Sequence, residues 1–145
     1  MRVIAGKYRH INLVAPSGTS VTRPTLDRIK EAMFNILNMY VIDAVVVDLF
    51  SGSGALGIEA LSRGASHVYF NDQDNNAQKS IKENLSKIKV DKSDYTLTKL
   101  DYFAFLNYLK DNNIKIDIIE IRDRVGKKIL ETGNGKCNYW NKDIC

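Results

Sequence analysis

The apolar residues of this chain change period several times, and each change predicts an element. Val3 and Ala5 stand two apart before Gly6-Lys7, and Ile11 and Leu13 stand two apart after it. That alternation predicts a β-hairpin with Arg2, Lys7, Arg9 and His10 on its polar face or turn, although Ile4 interrupts it. A hairpin alone is marginally stable, so it has to dock on the main domain or on a partner. A polar link over residues 17–20 follows. Leu26, Ile29, Met33, Ile36 and Leu37 then recur at helical spacing and predict a helix with that stripe buried. Thr25 is its expected N-cap, behind a Pro24 that stops backward extension.

The next period is that of a buried strand. Val45, Val46 and Val47 are β-branched, and Asp48 closes the run. A glycine bend follows at Gly52 and Gly54, then an amphipathic helix from about Ala55 to a stop at Arg63-Gly64. Residues 67–72 predict a second strand ending in Asp72, and Asp74 predicts the N-cap of a helix buried through Ala77, Ile81, Leu85 and Ile88. Residues 95–100 predict a third strand, 102–110 a helix, and 114–119 the start of a fourth strand. His67 is expected on the surface or a strand edge, with no catalytic partner.

The bend carries the chemistry. A strand, a glycine turn and a helix aim unsatisfied N–H groups at a ligand, which makes a nucleotide-type cofactor site. Gly52-Ser53-Gly54-Ala55-Leu56-Gly57 fits the dinucleotide pattern, which alone says little. A dehydrogenase, however, places its first glycine almost directly after the strand. Here Asp48 ends the strand and Leu-Phe-Ser intervenes. A carboxylate at that point repels a pyrophosphate and suits a cofactor with a cationic end, which favours S-adenosylmethionine (AdoMet) over NAD. Asp72, twenty residues beyond Gly52, is spaced to accept ribose hydroxyls.

Composition narrows the class. The 145 residues suffice for one domain with a core. No run of about 20 apolar residues spans a membrane, and no apolar leader is present, so a cytoplasmic protein is expected. Cys137 and Cys145 are the only cysteines and read as neither a disulfide framework nor a metal site, but as free thiols or a chance tail disulfide. Of the net charge of +4, all lies in residues 1–40, where Arg2, Lys7, Arg9, Arg23, Arg28 and Lys30 face only Asp27 and Glu31. This basic end suggests a polyanionic partner, with an ordinary solvated face as the competing reading.

Three long segments occur in one order: Met-Arg-Val-Ile-Ala-Gly-Lys-Tyr-Arg at the start, Thr-Arg-Pro-Thr-Leu-Asp-Arg-Ile-Lys-Glu-Ala-Met-Phe-Asn from Thr22, and Asp-Leu-Phe-Ser-Gly-Ser-Gly-Ala-Leu-Gly from Asp48. Over about residues 1–119 the chain resembles the RsmD family, AdoMet-dependent methyltransferases of a guanine N2 in small-subunit ribosomal RNA. The resemblance implies an α/β, Rossmann-like methyltransferase fold, three-layered with a mostly parallel sheet, carrying an N-terminal hairpin extension. The expected organisation is a basic hairpin over residues 1–20, the N-terminal half of a methyltransferase domain over 21–119, and, outside the resemblance, an atypical tail over 120–145. Asp48, Phe50, Ser51, Gly52, Ser53, Gly54, Asp72, Asp101 and Tyr102 are the cofactor residues it implies. Asp101 would bind the adenine amino group, with Tyr102 along the ring; an N-cap role would satisfy Asp101 equally well. Arg2, Lys7, Arg9, Arg23 and Arg28 are the expected contacts to ribosomal RNA or the small subunit, with no metal and no membrane involved.

The resemblance then breaks. The family continues its fourth strand into Asp-Pro-Pro-Tyr, whose acid and carbonyl hold the exocyclic amine and whose ring stacks on the flipped base. This chain reads Glu120-Ile121-Arg122-Asp123-Arg124, and its only prolines are Pro16 and Pro24. The remaining residues have no regular period, which suggests a frameshift or deletion after about residue 119. Impaired transfer, or a non-catalytic remnant that binds AdoMet or RNA, is therefore expected. Adenine-N6 DNA methyltransferases share much of this plan and remain an alternative. An unpaired edge beside the fourth strand would also leave a marginally stable monomer.

Overall fold

The structure, a computed structural model, describes residues 1–18 and 27–115. Arg23, Thr25, Leu26, most of the expected fourth strand and the whole tail lie outside the described residues. The chain divides into two units, Met1–Asp101 and Tyr102–Cys145.

The first unit alternates helices and strands in the expected order: α1 (Asp27–Val41), β1 (Val45–Asp48), α2 (Ala55–Ser62), β2 (His67–Asn71), α3 (Asn75–Ile88) and β3 (Tyr95–Thr98). The strands form a parallel sheet in the order β1-β2-β3, with Val46 beside Val68 and Phe70 beside Leu97. Parallel neighbours need a crossover, and α2 and α3 supply the two. The core joins Ile58 and Leu61 of α2, Val68 and Phe70 of β2, and Ile81, Leu85 and Ile88 of α3. Each such side chain, fully buried, is worth about 1.5–3 kcal/mol. The stripe expected on α3 is all inside, and Asp74 caps that helix by accepting from the N–H groups of Asn76 and Ala77 at 2.8 and 3.0 Å.

Two elements differ from expectation. On α1 the buried residues are Lys30, Phe34 and Val41, with Met33 and Leu37 partly covered, while Ile29 and Ile36 face outward. The helix is rotated because the Lys30 ammonium is drawn in to Glu59, at 3.4 Å, and to the Arg2 carbonyl. Phe34 follows one turn later, under the Arg63 guanidinium at 5.1 Å. On β1 the valines are only partly covered, and Val45 is 51% exposed. Among the described residues that strand is paired on one edge alone.

The N-terminal hairpin turns back on itself, but as a single antiparallel bridge, Arg2 to Asn12, and not as two strands. Val3 donates to the Ile11 carbonyl at 3.0 Å and Leu13 to that of Met1 at 3.0 Å. The ladder stops there because the N–H groups of Ile4 and Ala5 turn away to the Glu59 carboxylate, at 2.9 and 3.1 Å. Gly6 then lies against α2 so closely that a Cβ would come 1.8 Å from the Ser62 carbonyl oxygen. Val3, Tyr8 and Leu13 are buried by this docking.

In the second unit, α4 (Tyr102–Asp111) is described through its end, where Asn113 takes the left-handed conformation and Ile114 donates to the Leu109 carbonyl. Phe105 and Tyr108 stack within it at 6.2 Å.

Candidate functional site

The first two strands deliver their carboxyl ends to one place, and a buried amide fixes the spacing. Asn71, 1% exposed, donates to the carbonyls of Leu49 at 3.3 Å and Leu100 at 3.0 Å. Its side-chain oxygen accepts from the Leu100 N–H at 3.0 Å and the Thr98 hydroxyl at 2.7 Å. The ends of all three strands are therefore tied to one side chain. Ser51 adds a second tie: its hydroxyl donates to the Asp48 carbonyl at 2.7 Å and accepts from the Asn71 N–H at 3.1 Å.

Between these ties the bend takes its shape from two glycines. Gly52 and Gly54 have φ of +56° and +77°, the left-handed region where a side chain is strained. A Cβ on Gly52 would meet nothing within 4 Å, so the bend borders open space at that point. Gly57 serves packing instead, since a Cβ there would lie 2.2 Å from the Phe70 ring.

The N-terminus of α2 is already supplied with negative charge. Asp72 accepts from the Gly52 N–H at 2.9 Å through one oxygen and from the Asp74 N–H at 2.9 Å through the other. Asp48 is buried and accepts from the Gly57 N–H at 3.0 Å. Burial pushes its carboxyl up to about 6, and the Asp72 charge adds to this while the Gly57 hydrogen bond opposes it. One oxygen of the Asp48 carboxylate thus faces the first turns of α2. With two carboxylates on these N–H groups, the loop is poorly suited to a pyrophosphate and compatible with a ligand bearing positive charge.

The other sequence candidates are spread around this centre. Phe50 is 41% exposed, Ser53 is buried, and Asp101 is exposed beyond β3. Tyr102 opens α4 in the second unit. Arg2 lies 3.9 Å from Asp27, which brings the N-terminal segment beside the first turn of α1, where Arg28 follows. Lys7 sits over the Tyr8 ring at 5.2 Å, and Arg9 and Arg28 are exposed. His67 opens the central strand β2 and lies 2.9 Å from both the Ser93 carbonyl and the Thr96 hydroxyl.

Sequence reasoning missed Asn71, Asn84 and Glu59. Asn84 is wholly buried, donates to the Ser53 carbonyl at 2.9 Å, and exchanges two bonds with the backbone of Val14. It thereby joins the N-terminal segment to the bend. The available signal was polarity in an apolar setting, Asn71 after Phe70 and Asn84 beside Leu85.

A family model described as conserved hypothetical protein 95 matches residues 1–122. The Bacillus subtilis protein YlbH is 48% identical over 92 residues, 63% of this chain and 50% of its own length. Ribosomal RNA small subunit methyltransferase D of Escherichia coli is 39% identical over 90 residues, 62% of this chain and 45% of its own. The solved Escherichia coli protein yhhF superposes with a TM-score of 0.64 at 36% identity, covering 73% of this chain and 56% of that one. The chain spans about half the length of the relatives it matches.

Proposed function

Because the chain belongs to the family of conserved hypothetical protein 95, the RsmD family, we propose that it holds AdoMet at the carboxyl ends of its strands, as the cofactor-binding part of a guanine-N2 methyltransferase of small-subunit ribosomal RNA. The observation that carries this reading is the Gly52 to Asp72 pair: open space at the glycine, and a carboxylate whose two bonded oxygens each retain a lone pair. Those lone pairs suit ribose hydroxyls. The backbone of Gly52 and Gly54 would hold the amino-acid end, with Phe50 beside it, and Asp101 would accept from the adenine amino group. Asp48, Ser51 and Ser53 shape the loop from beneath. The residues named for this site all belong to the first unit.

When bound, AdoMet supplies a methyl group on a sulfonium, open to in-line attack by an amine. What this chain would contribute is position, which can supply about 7–11 kcal/mol of such a barrier. Arg2, Lys7, Arg9 and Arg28 would meet RNA phosphates on the N-terminal segment and α1, with Arg23 a further candidate. No Asp-Pro-Pro-Tyr stands anywhere in the 145 residues. That favours a second reading for the chain as written: a cofactor- and RNA-binding remnant with little or no transfer.

Labelled methyl transfer from AdoMet to undermethylated small ribosomal subunits, run beside equilibrium dialysis of AdoMet, tests both readings. Saturable binding without transfer is expected. Transfer abolished by Asp72→Ala would overturn the remnant reading, and absence of binding would overturn the cofactor site.

A further inference from the structure

Residues 41–145 carry as many acids as bases, so averaging along the chain hides any local charge in that part. The fold uncovers one. Asn75, Gln78, Lys79 and Lys82 lie at helical spacing on one face of α3, Tyr95 and Leu97 lie at spacing two on one face of β3, and Lys99 follows just past its end. Together with Lys92 from the 3₁₀ turn over Lys92–Asp94, they line an open groove of about 910 Å³. Four of the eight lining residues are lysines and none is acidic. None of the four has an ion-pair partner among the described residues, and the nearby Glu83 pairs with Lys87, outside the groove, at 3.4 Å. Gln78 fixes the α3 side of the groove by donating to the carbonyls of Asp72 at 2.7 Å and Thr98 at 2.6 Å.

We propose that this groove is a second RNA-binding surface, which takes the phosphate backbone of a single strand away from the cofactor bend. The inference rests on the ribosomal RNA reading above and extends it. Four ammonium groups with no ion-pair partner among the described residues, set around a concave surface, give it a positive field. The half-buried Tyr95 and Leu97 between them give bases or sugars an apolar surface, the combination by which grooves hold single strands without sequence preference. None of the residues assigned to AdoMet lines it.

The test compares wild type, Lys79→Ala/Lys82→Ala and Lys87→Ala, with Arg9→Ala as a reference for the N-terminal segment. Binding of oligouridylate and of undermethylated small-subunit ribosomal RNA is measured over a range of salt, with thermal melts and AdoMet affinity alongside. The double variant should bind RNA about tenfold more weakly, with a salt slope shallower by about 1.4 for two lost contacts. Its melt and AdoMet affinity should match wild type, and Lys87→Ala should behave as wild type. An unchanged affinity and slope in the double variant, while Arg9→Ala weakens binding, would overturn the groove and leave the RNA reading standing. No RNA binding by wild type would overturn that reading and the groove with it. Tighter binding of polyglutamate than of RNA, lost in the double variant, would reassign the groove to an acidic protein and overturn the proposal.

Discussion

Lys30 on α1 and Glu59 on α2 are both wholly buried and lie 3.4 Å apart. Glu59 also accepts from the N–H groups of Ile4 and Ala5, and from the Arg63 guanidinium at 2.8 Å. One carboxylate therefore fastens α1, α2 and the N-terminal segment together. Removing one partner of a buried pair leaves a charge unmatched and costs about 3–5 kcal/mol. Glu59→Ala should lose about that much in denaturant unfolding, and limited proteolysis should then cut within the first fourteen residues. A loss below about 1 kcal/mol, the range of an exposed pair, would show that the cluster is not a fastening.

Gly57 is packed against the Phe70 ring, with no room for a methyl group. Gly57→Ala should therefore lower the melting temperature sharply, since overpacking of this kind costs about 1–3 kcal/mol. Phe70→Leu in the same chain should recover part of the loss, because the obstructing ring atoms are gone. A melt for Gly57→Ala equal to wild type would contradict the packing of α2 on β2.

Gly52 predicts the opposite separation. Its Cβ direction is open, but its φ of +56° is left-handed. Gly52→Val should cost about 1–2 kcal/mol of stability from strain and also put a branched side chain where the ligand is proposed to lie. AdoMet binding by calorimetry should vanish while the chain stays folded. Binding retained at wild-type affinity would remove the bend from the site.

The buried Asp48 carboxyl, raised from 3.8 to about 6, sets a pH dependence. At low pH it is protonated in both folded and unfolded chains. As pH rises, the unfolded chain ionises first and the folded one only near 6, so this group's contribution to stability falls through that interval and stays low above it. The cost at pH 7.5 is on the order of 3 kcal/mol. Asp48→Asn, whose amide oxygen still accepts from Gly57, should melt higher than wild type at pH 7.5 and near wild type at pH 4. Equal melts at both values would show that the group ionises at no cost.

What could be read from sequence was local. The Arg63-Gly64 stop, the Asp74 cap, the α3 stripe and the glycine bend each depend on neighbours within a few residues, and each was legible. Lys30 was not, because its partner stands 29 positions away, and an apolar Ile29 beside it drew the predicted stripe to the wrong face. The hairpin ladder was misread for the same reason: Glu59, far along the chain, takes the N–H groups a strand would have used. Asp48 was legible as a special position, but its bond to the α2 backbone was not. Only the packing of α2 shows that one of its oxygens accepts from Gly57. The lysine groove was hidden by averaging over charges that the crossover brings together.

The most direct measurement is a calorimetric titration of AdoMet into the full chain, with Asp72→Ala as the control. Saturable binding, abolished by Asp72→Ala with the thermal melt retained, is the predicted result. No binding, or binding that Asp72→Ala leaves intact, would contradict the cofactor site at the carboxyl ends of β1 and β2.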